Sequence, residues 1–145
     1  MKRVYVNEKW CLGCHLCEYY CAFASSNEKD MVKALKDSKI NPKIKIEETD
    51  GINFAVSCRH CNVPLCVKGC ITGALTKKDD GVVTIDKDRC IGCYTCILSC
   101  PFGAVSPSSE GVIQKCELCI KTNNGTPQCV AGCPNSAIVF EERGE

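Results

Sequence analysis

Two segments with alternating apolar and polar residues predict equivalent strands in distant parts of the chain. The segment Val4–Cys14 aligns without a gap on Val83–Cys93, and each begins with a short run of this alternating kind. Such a run is typical of a half-buried strand. In both segments a polar turn and a cysteine-rich loop follow the run. The chain therefore contains a repeated unit of strand, turn and cysteine loop.

A second repeated element follows the last cysteine of three cysteine-rich loops. The segments Ile71–Leu75, Pro101–Val105 and Pro134–Ile138 share an alanine and an apolar residue at the same offsets. Together the two repeats predict a unit of strand, cysteine loop, short helix and strand, and the chain uses this unit repeatedly.

The segment between residues 22 and 57 interrupts the repetition, because it contains no cysteine. Ser25-x-x-Glu28 is a capping-box signature, and the apolar stripe of Met31, Val32 and Leu35 predicts a short helix that ends before Pro42. Isoleucines alternate with lysines in Ile44–Ile46 as in a strand, and Asp50-Gly51 favours a hairpin turn to a second strand, Ile52–Val56. Two interpretations of the segment stay open, since it either fills space beside the repeats or docks a partner.

Cysteine makes up sixteen of the 145 residues. So high a density indicates a disulfide scaffold in a secreted protein and metal binding in an intracellular one. The segment Met1–Glu8 carries charges where a secretory signal peptide has an apolar run, and no stretch approaches the length of a membrane span. We therefore expect a cytoplasmic protein, without direct membrane insertion, whose cysteines bind metal.

The sixteen cysteines form four motifs of four. Motifs 1 and 3 have the spacing C-x2-C-x2-C-x3-C, which is that of bacterial ferredoxins, where the fourth cysteine ligates the other cluster of a pair. Motif 2 has gaps of two, four and three residues, and motif 4 has gaps of two, nine and three. In chain order the motifs are Cys11, Cys14, Cys17 and Cys21; Cys58, Cys61, Cys66 and Cys70; Cys90, Cys93, Cys96 and Cys100; and Cys116, Cys119, Cys129 and Cys133.

Two other uses of cysteine explain this spacing less well. A single C-x2-C pair is more often a zinc ligand, but four-cysteine zinc sites usually consist of two such pairs well apart. Disulfides need an oxidising compartment, for which the N-terminal sequence gives no support. Four [4Fe–4S] clusters are therefore the expected cofactors, and a zinc-binding interaction module is the remote alternative.

Iron–sulfur clusters also change the expected stability and charge of the protein. Aromatic residues are few, with one Trp, four Tyr and four Phe, so the hydrophobic core is thin and metal binding supplies folding energy. The formal net charge of +1 counts the cysteines as neutral thiols. Sixteen thiolates contribute −16 and four oxidised clusters contribute +8 from their cores, which gives a charge of about −7. Nucleic acid is therefore not an expected partner.

These motifs resemble those of four-cluster, ferredoxin-like electron-transfer subunits of multisubunit redox enzymes. That family includes the iron–sulfur subunits of dimethyl sulfoxide reductase and formate dehydrogenase. It also includes small iron–sulfur proteins of carbon monoxide dehydrogenase, hydrogenase and tungsten aldehyde oxidoreductase systems. The resemblance covers nearly the whole chain, and its most specific parts are the segment Cys58–Cys70 and the wide gap of motif 4.

The resemblance implies an α+β fold with tandem bacterial-type 2[4Fe–4S] ferredoxin-like domains, one inserted within the other. The outer domain is expected at residues 1–21 plus 111–145, and the inner domain at residues 52–110. Residues 22–51 are expected to form an insertion of helix and strand. Proline follows Cys100 and Cys133, as in the family, whereas Ala22 follows Cys21 and Ile71 follows Cys70. This departure puts the local turn geometry in doubt.

The resemblance also implies which cysteines share a cluster, because each fourth cysteine crosses to the partner motif. We call the four expected groups of ligands sets 1 to 4. Set 1 is Cys11, Cys14, Cys17 and Cys133; set 2 is Cys21, Cys116, Cys119 and Cys129; set 3 is Cys58, Cys61, Cys66 and Cys100; and set 4 is Cys70, Cys90, Cys93 and Cys96.

The function implied by the resemblance is electron transfer without catalysis. The protein is expected to relay electrons between a catalytic redox subunit, of the tungsten or molybdenum oxidoreductase, carbon monoxide dehydrogenase or hydrogenase type, and a flavin- or ferredoxin-dependent second partner. The sequence shows no nucleophile–base pair and no phosphate loop, and His15 and His60 are expected to lie outside the ligand sets. A freely diffusing polyferredoxin is the nearest alternative, and a redox sensor would need an output domain.

Overall fold

Short strands and helices alternate along the chain and are separated by the loops that carry the cysteine motifs. The computed structural model describes residues 2–24, 26, 29–36, 40–120 and 127–143, which form a small mixed α and β fold. The strands are β1 (Arg3–Val6), β2 (Lys45–Thr49), β3 (Ile52–Val56), β4 (Leu75–Lys77), β5 (Val83–Ile85), β6 (Ser106–Pro107), β7 (Ile113–Gln114) and β8 (Ile138–Glu141). The helices are α1 (Leu16–Ala24), α2 (Met31–Leu35), α3 (Leu65–Gly69), α4 (Thr95–Ser99) and α5 (Gln128–Gly132).

The strands pair into four antiparallel, two-stranded ladders within the described part of the chain. Strands β4 and β5 pair locally, as do β6 and β7. Strand β1 instead pairs with β8, with Arg3 opposite Glu141 and Val6 opposite Ile138. The segments that form β4 to β7 are therefore enclosed, in sequence, between two strands that pair with each other.

The helices pack in two pairs, α1 with α5 and α3 with α4. A glycine allows close approach in each pair, at the position directly before a fourth cysteine. A Cβ atom on Gly132 would lie 2.3 Å from the ring of Tyr20, and one on Gly69 would lie 3.1 Å from the Ser99 hydroxyl. Tyr20 and Ser99 also directly precede fourth cysteines. We call β1, α1, α5 and β8 the outer half, and β4 to β7 with α3 and α4 the inner half.

Each half has a small hydrophobic core in which cysteines take part. The core of the outer half contains Val4, Ile138 and Cys129, and the insertion contributes Ile44 to it. The core of the inner half contains Leu75, Val83, Ile85, Val105, Ile113 and Cys96. Because cysteines provide part of both cores, what binds their sulfur atoms also affects packing.

The structure confirms the strands predicted at both repeats and the elements predicted in the insertion. Strands β2 and β3 form the expected hairpin, and Asp50 and Gly51 at its turn have φ angles of 52° and 78°. Positive φ at both central residues is the conformation that a two-residue hairpin turn favours. Helix α2 spans Met31–Leu35, and the side chain of its N-cap residue, Asp30, accepts a hydrogen bond from the Val32 amide. The predicted capping box, Ser25-x-x-Glu28, lies outside the described residues. The expected domain boundary between residues 51 and 52 falls inside the hairpin.

Candidate metal centres

All sixteen cysteines lie in the described part of the chain, and none forms a disulfide. Three of the four expected sets each surround a separate cavity. The first cavity is lined by the four cysteines of set 1, together with Leu12, His15 and Pro134. Loop residues of motif 1 form one side of this cavity, and the end of α5 brings Cys133 to the other. Motifs 1 and 4 thus meet at one site although they stand at opposite ends of the sequence.

The inner half contains the other two cavities. One has a volume of about 230 Å³ and is lined by the four cysteines of set 3 and by Val83. The other is lined by the four cysteines of set 4, with Ile91 and Tyr94 at its rim. Helix α3 carries Cys66 toward the larger cavity, while Cys70, which ends this helix, lines the smaller one. In the same way, helix α4 carries Cys96 toward the smaller cavity, while Cys100, which ends this helix, lines the larger one.

The cysteines of set 2 come together in the interior of the outer half. Burial raises the pKa of the Cys129 thiol, and the neighbouring Cys116, Cys21 and Cys119 raise it further. Cys119 also lies close enough to Cys21 to raise the pKa of that thiol, in which burial is again the main cause. Three expected sets thus each line a cavity of their own, and the cysteines of set 2 lie near one another, with Cys17 of set 1 also close to Cys129.

The loop of every motif bends through the same left-handed conformation one residue before its second cysteine. The residues at this position are Gly13, His60, Gly92 and Leu118, with φ angles of 68°, 45°, 73° and 56°. At Gly92 a side chain is also excluded by space, because a Cβ atom would lie 2.4 Å from the carbonyl oxygen of Gly111. The bend turns backbone amides toward sulfur: the amide of His60 donates to Cys58 Sγ, and that of Leu118 to Cys116 Sγ, both over 3.4 Å.

Fourth cysteines receive hydrogen bonds from two different sources. Cys133 Sγ accepts from the amide of Ala137, in the loop that follows it, over 3.3 Å. Cys70 Sγ lies 3.7 Å from the Thr72 hydroxyl, also in the following loop. Cys21 has no such loop after it, because α1 continues to Ala24. Its sulfur accepts from the amide of Lys43 in the insertion, over 3.3 Å, so the change from proline to Ala22 is compensated from a distant segment.

Burial makes the thiolate form of several cysteines unfavourable in the protein alone. It raises the pKa of Cys17 and Cys116 to about 12 and that of Cys96 to about 11. A buried thiolate needs a positive charge nearby, and an iron–sulfur core ligated by four thiolates provides one. Among the described residues, no three His, Cys, Asp or Glu side chains converge on a single metal-ion position. Cysteines arranged around a cavity fit a group that contains several iron atoms.

The two histidines have different surroundings. The His15 side chain is half exposed and its Nδ1 lies 2.9 Å from Glu18 Oε2, at the edge of the first cavity. His60 is fully buried, and its Nδ1 accepts a hydrogen bond from the Val83 amide over 3.0 Å. Burial lowers the pKa of His60 to about 3, and nearby Lys115 lowers it as well, so the ring is neutral.

Sequence reasoning missed a lysine in the interior. Lys115 is 1% exposed, and its Nζ donates to the carbonyl oxygens of Val83 and Cys116 over 2.5 and 2.6 Å. Its only sequence signal is that it directly precedes the first cysteine of motif 4. Arg89 precedes the first cysteine of motif 3 in the same way, yet its side chain is largely exposed. Position in the motif alone therefore does not distinguish a buried cation from a surface one.

Sixteen cysteines in four such sets define an iron–sulfur protein, and comparisons with known proteins agree. A family model described as a 4Fe-4S dicluster domain matches residues 49–143. The chain belongs to this family. The family match and the sixteen cysteines fit four [4Fe–4S] clusters. No helix in the described ranges has the length and apolar character needed to cross a bilayer.

Three relatives match most of the chain. An iron–sulfur protein of Rhodospirillum rubrum is 37% identical over 93% of this chain and 79% of its own length. The electron transport protein HydN of Escherichia coli is 30% identical over 93% of this chain and 85% of its length. The thiosulfate reductase electron transfer subunit PhsB of Salmonella typhi is 33% identical over 92% and 72%. Two longer E. coli proteins, UacF and AegA, match over only 20% and 21% of their lengths.

Proposed function

We propose that this protein is a non-catalytic electron-transfer subunit that relays electrons through four [4Fe–4S] clusters, one held by each cysteine set. The observation that carries the proposal is that neighbouring cysteine sets lie close to one another in a single series. Electron transfer between clusters requires closely spaced centres, and a continuous series of cysteine sets supplies them.

Two electrostatic effects between cysteines and one connecting helix define the series of cysteine sets. Cys17 of set 1 lies close enough to Cys129 of set 2 to contribute to the raised pKa of that thiol, whose main cause is burial. Cys58 of set 3 acts in the same way on Cys116 of set 2. Sets 3 and 4 are joined by α3, which leads from Cys66 to Cys70 over about 6 Å at the helical rise per residue. The order of the clusters is then 1, 2, 3, 4.

The ends of this series are the more accessible cysteine sets. Cys14 in set 1 and Cys93 in set 4 are exposed, whereas no cysteine of sets 2 and 3 is exposed. Large apolar side chains stand beside both ends, with Leu12 exposed at set 1 and Ile91 at set 4. We expect one redox partner to dock at each end, where an exposed apolar surface surrounds a cluster.

When bound, the clusters supply one-electron oxidation and reduction. The chain itself positions the thiolates and directs backbone amides toward sulfur. Hydrogen bonds to sulfur and solvent exposure are the means by which a protein adjusts cluster potentials. The expected partners are a catalytic redox subunit of the tungsten or molybdenum oxidoreductase, carbon monoxide dehydrogenase or hydrogenase type and a second flavin- or ferredoxin-dependent protein. The names of HydN and PhsB support a role in electron transport.

An anaerobic purification of the untagged protein from its own cells tests this function. The first measurement is the iron content of the chain, which we expect to be about sixteen atoms. The second is mass spectrometry of the proteins that copurify, which we expect to include a large catalytic redox subunit. A chain with far fewer iron atoms, or with zinc in their place, would overturn the four-cluster proposal. A fully loaded chain that purifies alone would instead favour the freely diffusing polyferredoxin.

A further inference from the structure

The interior between sets 2 and 3 contains a buried positive charge. Lys115 is among the largest fully buried side chains of the protein, and its two acceptors are backbone carbonyl oxygens. Carbonyl oxygens satisfy the hydrogen-bonding groups of an ammonium without neutralising its charge. A full charge in a region of low dielectric acts strongly on its neighbours.

The contacts of Lys115 place this charge beside both central sets. One acceptor belongs to Cys116 of set 2, and the other belongs to Val83, which lines the cavity of set 3.

A second polar group faces the same region. His60 Nδ1 accepts from the Val83 amide, so the ring proton of the neutral imidazole is on Nε2. Nε2 is buried and has no hydrogen-bond partner among the described residues. A buried donor without a partner is costly unless something accepts its proton. His60 stands between Cys58 and Cys61 and shares Val83 with Lys115, so this buried donor lies next to the ligands expected for set 3.

The end sets have neither feature. The loop position of His60 is taken by Gly13 in motif 1 and Gly92 in motif 3. The position of Lys115 is taken in motif 3 by Arg89, which lies at the surface 3.7 Å from Asp86. At the aligned positions, therefore, motifs 1 and 3 carry neither the buried ammonium nor the buried imidazole.

We propose that Lys115 and His60 stabilise the reduced state of the two central clusters relative to the two end clusters. This inference rests on the proposed four-cluster function. A cluster with four thiolate ligands is already anionic, and uptake of one electron from the donor subunit would add one negative charge to it. The buried ammonium favours the more negative state, and the electron passes on to the acceptor subunit without any proton transfer.

The test is an anaerobic potentiometric titration, followed by electron paramagnetic resonance, of the Lys115→Gln and Lys115→Arg variants. Glutamine keeps a donor for the two carbonyl groups but removes the charge, whereas arginine keeps the charge. In Lys115→Gln we expect two of the four midpoint potentials to fall, so that the ratio of reduced to oxidised cluster changes at least tenfold, or about 59 mV. The other two potentials should stay unchanged, and Lys115→Arg should restore the first two.

Two matched controls separate buried from exposed charge. Lys77 donates to the carbonyl oxygens of Cys61 and Asn62 over 3.0 Å but is only partly buried, so Lys77→Gln should shift one potential by less. Lys87 lies at the surface beside Glu110, and Lys87→Gln should shift none. If Lys115→Gln does not retain its iron, His60→Leu provides the same test, with a smaller fall expected.

The two proposals fail in different ways. A wild-type chain that lacks four clusters overturns the proposed function. A wild-type chain with four clusters, together with unchanged potentials in the fully loaded Lys115→Gln or His60→Leu variant, overturns this inference alone. A uniform shift of all four potentials would also overturn it, because the effect would then not be local to the centre.

Discussion

The outer and inner halves use different residues where their paired helices approach each other. In each, two helices meet at a glycine that precedes a fourth cysteine, but Gly132 faces the Tyr20 ring and Gly69 faces the small Ser99 side chain. The inner helices have five residues each, while α1 has nine and runs past its fourth cysteine. Cys70 of the inner half and Cys133 of the outer half therefore have hydrogen-bonding partners in their own following loops, whereas Cys21 does not.

The insertion completes the outer half. It supplies the amide of Lys43 to Cys21 Sγ, and the amide of Ile46 donates to Glu18 Oε1 on α1 over 2.7 Å. Of the two interpretations left open by the sequence, space filling is too weak a description, since these bonds reach a cysteine sulfur. The difference between the halves shows that a fourth cysteine keeps its hydrogen-bond donors even when the usual following loop is lost.

The largest effects should come from equivalent cysteines in the two halves. Cys96→Ser in the inner half and Cys129→Ser in the outer half each remove one buried ligand. We expect each variant to lose about a quarter of its iron and to abolish transfer between the two redox partners, while the catalytic partner still reduces or oxidises an artificial dye. The measurements are iron content and single-turnover transfer. An unimpaired transfer rate in Cys96→Ser would refute the series of four clusters.

The same pair of variants also compares how each half is held together. Cys129 shares the outer core with Val4 and Ile138, whose strands pair as β1 and β8. Hydrogen exchange should therefore accelerate at β1 and β8 in Cys129→Ser but not in Cys96→Ser. Equal protection of these strands in both variants would show that the stability of each half does not depend on its own clusters.

Smaller effects are expected at the loop glycines. In Gly92→Ala the new Cβ meets the Gly111 carbonyl, and the φ of +73° adds strain, so we expect a loss of about 2–5 kcal/mol in the free energy of unfolding. In Gly13→Ala the nearest atom belongs to the movable Asn53 side chain, so strain dominates, at about 1–2 kcal/mol. Anaerobic guanidinium titration measures both, and Gly73→Ala is the control for strain in open space.

The smallest effects are expected at the glycines of the two helix pairs, and they should differ between the pairs. Gly132→Ala pushes a methyl group into the Tyr20 ring, which costs about 1–3 kcal/mol and exceeds the helix-propensity gain of about 1 kcal/mol. Gly69→Ala meets only the Ser99 hydroxyl, so it should be neutral or stabilising. Guanidinium titration of Gly132→Ala combined with Tyr20→Ser, which imitates the inner pair, should recover part of the loss. No recovery would show that the ring is not the obstacle.

The sequence predicts the strands and helices of this protein better than the contacts between distant segments. Alternation identified β1, β5 and the hairpin, because local pattern and local structure coincide there. The cysteine combinations came from the family resemblance and stay a prediction, which three cavities, each lined by one expected set, support. The interior position of Lys115 and the role of Lys43 were not predictable, since both depend on contacts between segments far apart in the chain.

The pairing of β1 with β8 also orders events during synthesis on the ribosome. Cys11 is made early, but Cys133, which lines the same cavity, is made near the end of the described chain. The inner cysteines, from Cys58 to Cys100, are complete while Cys133, the last member of set 1, is still missing. Iron insertion into a nascent chain should therefore begin in the inner half, with the first cysteines of the sequence among the last to be filled.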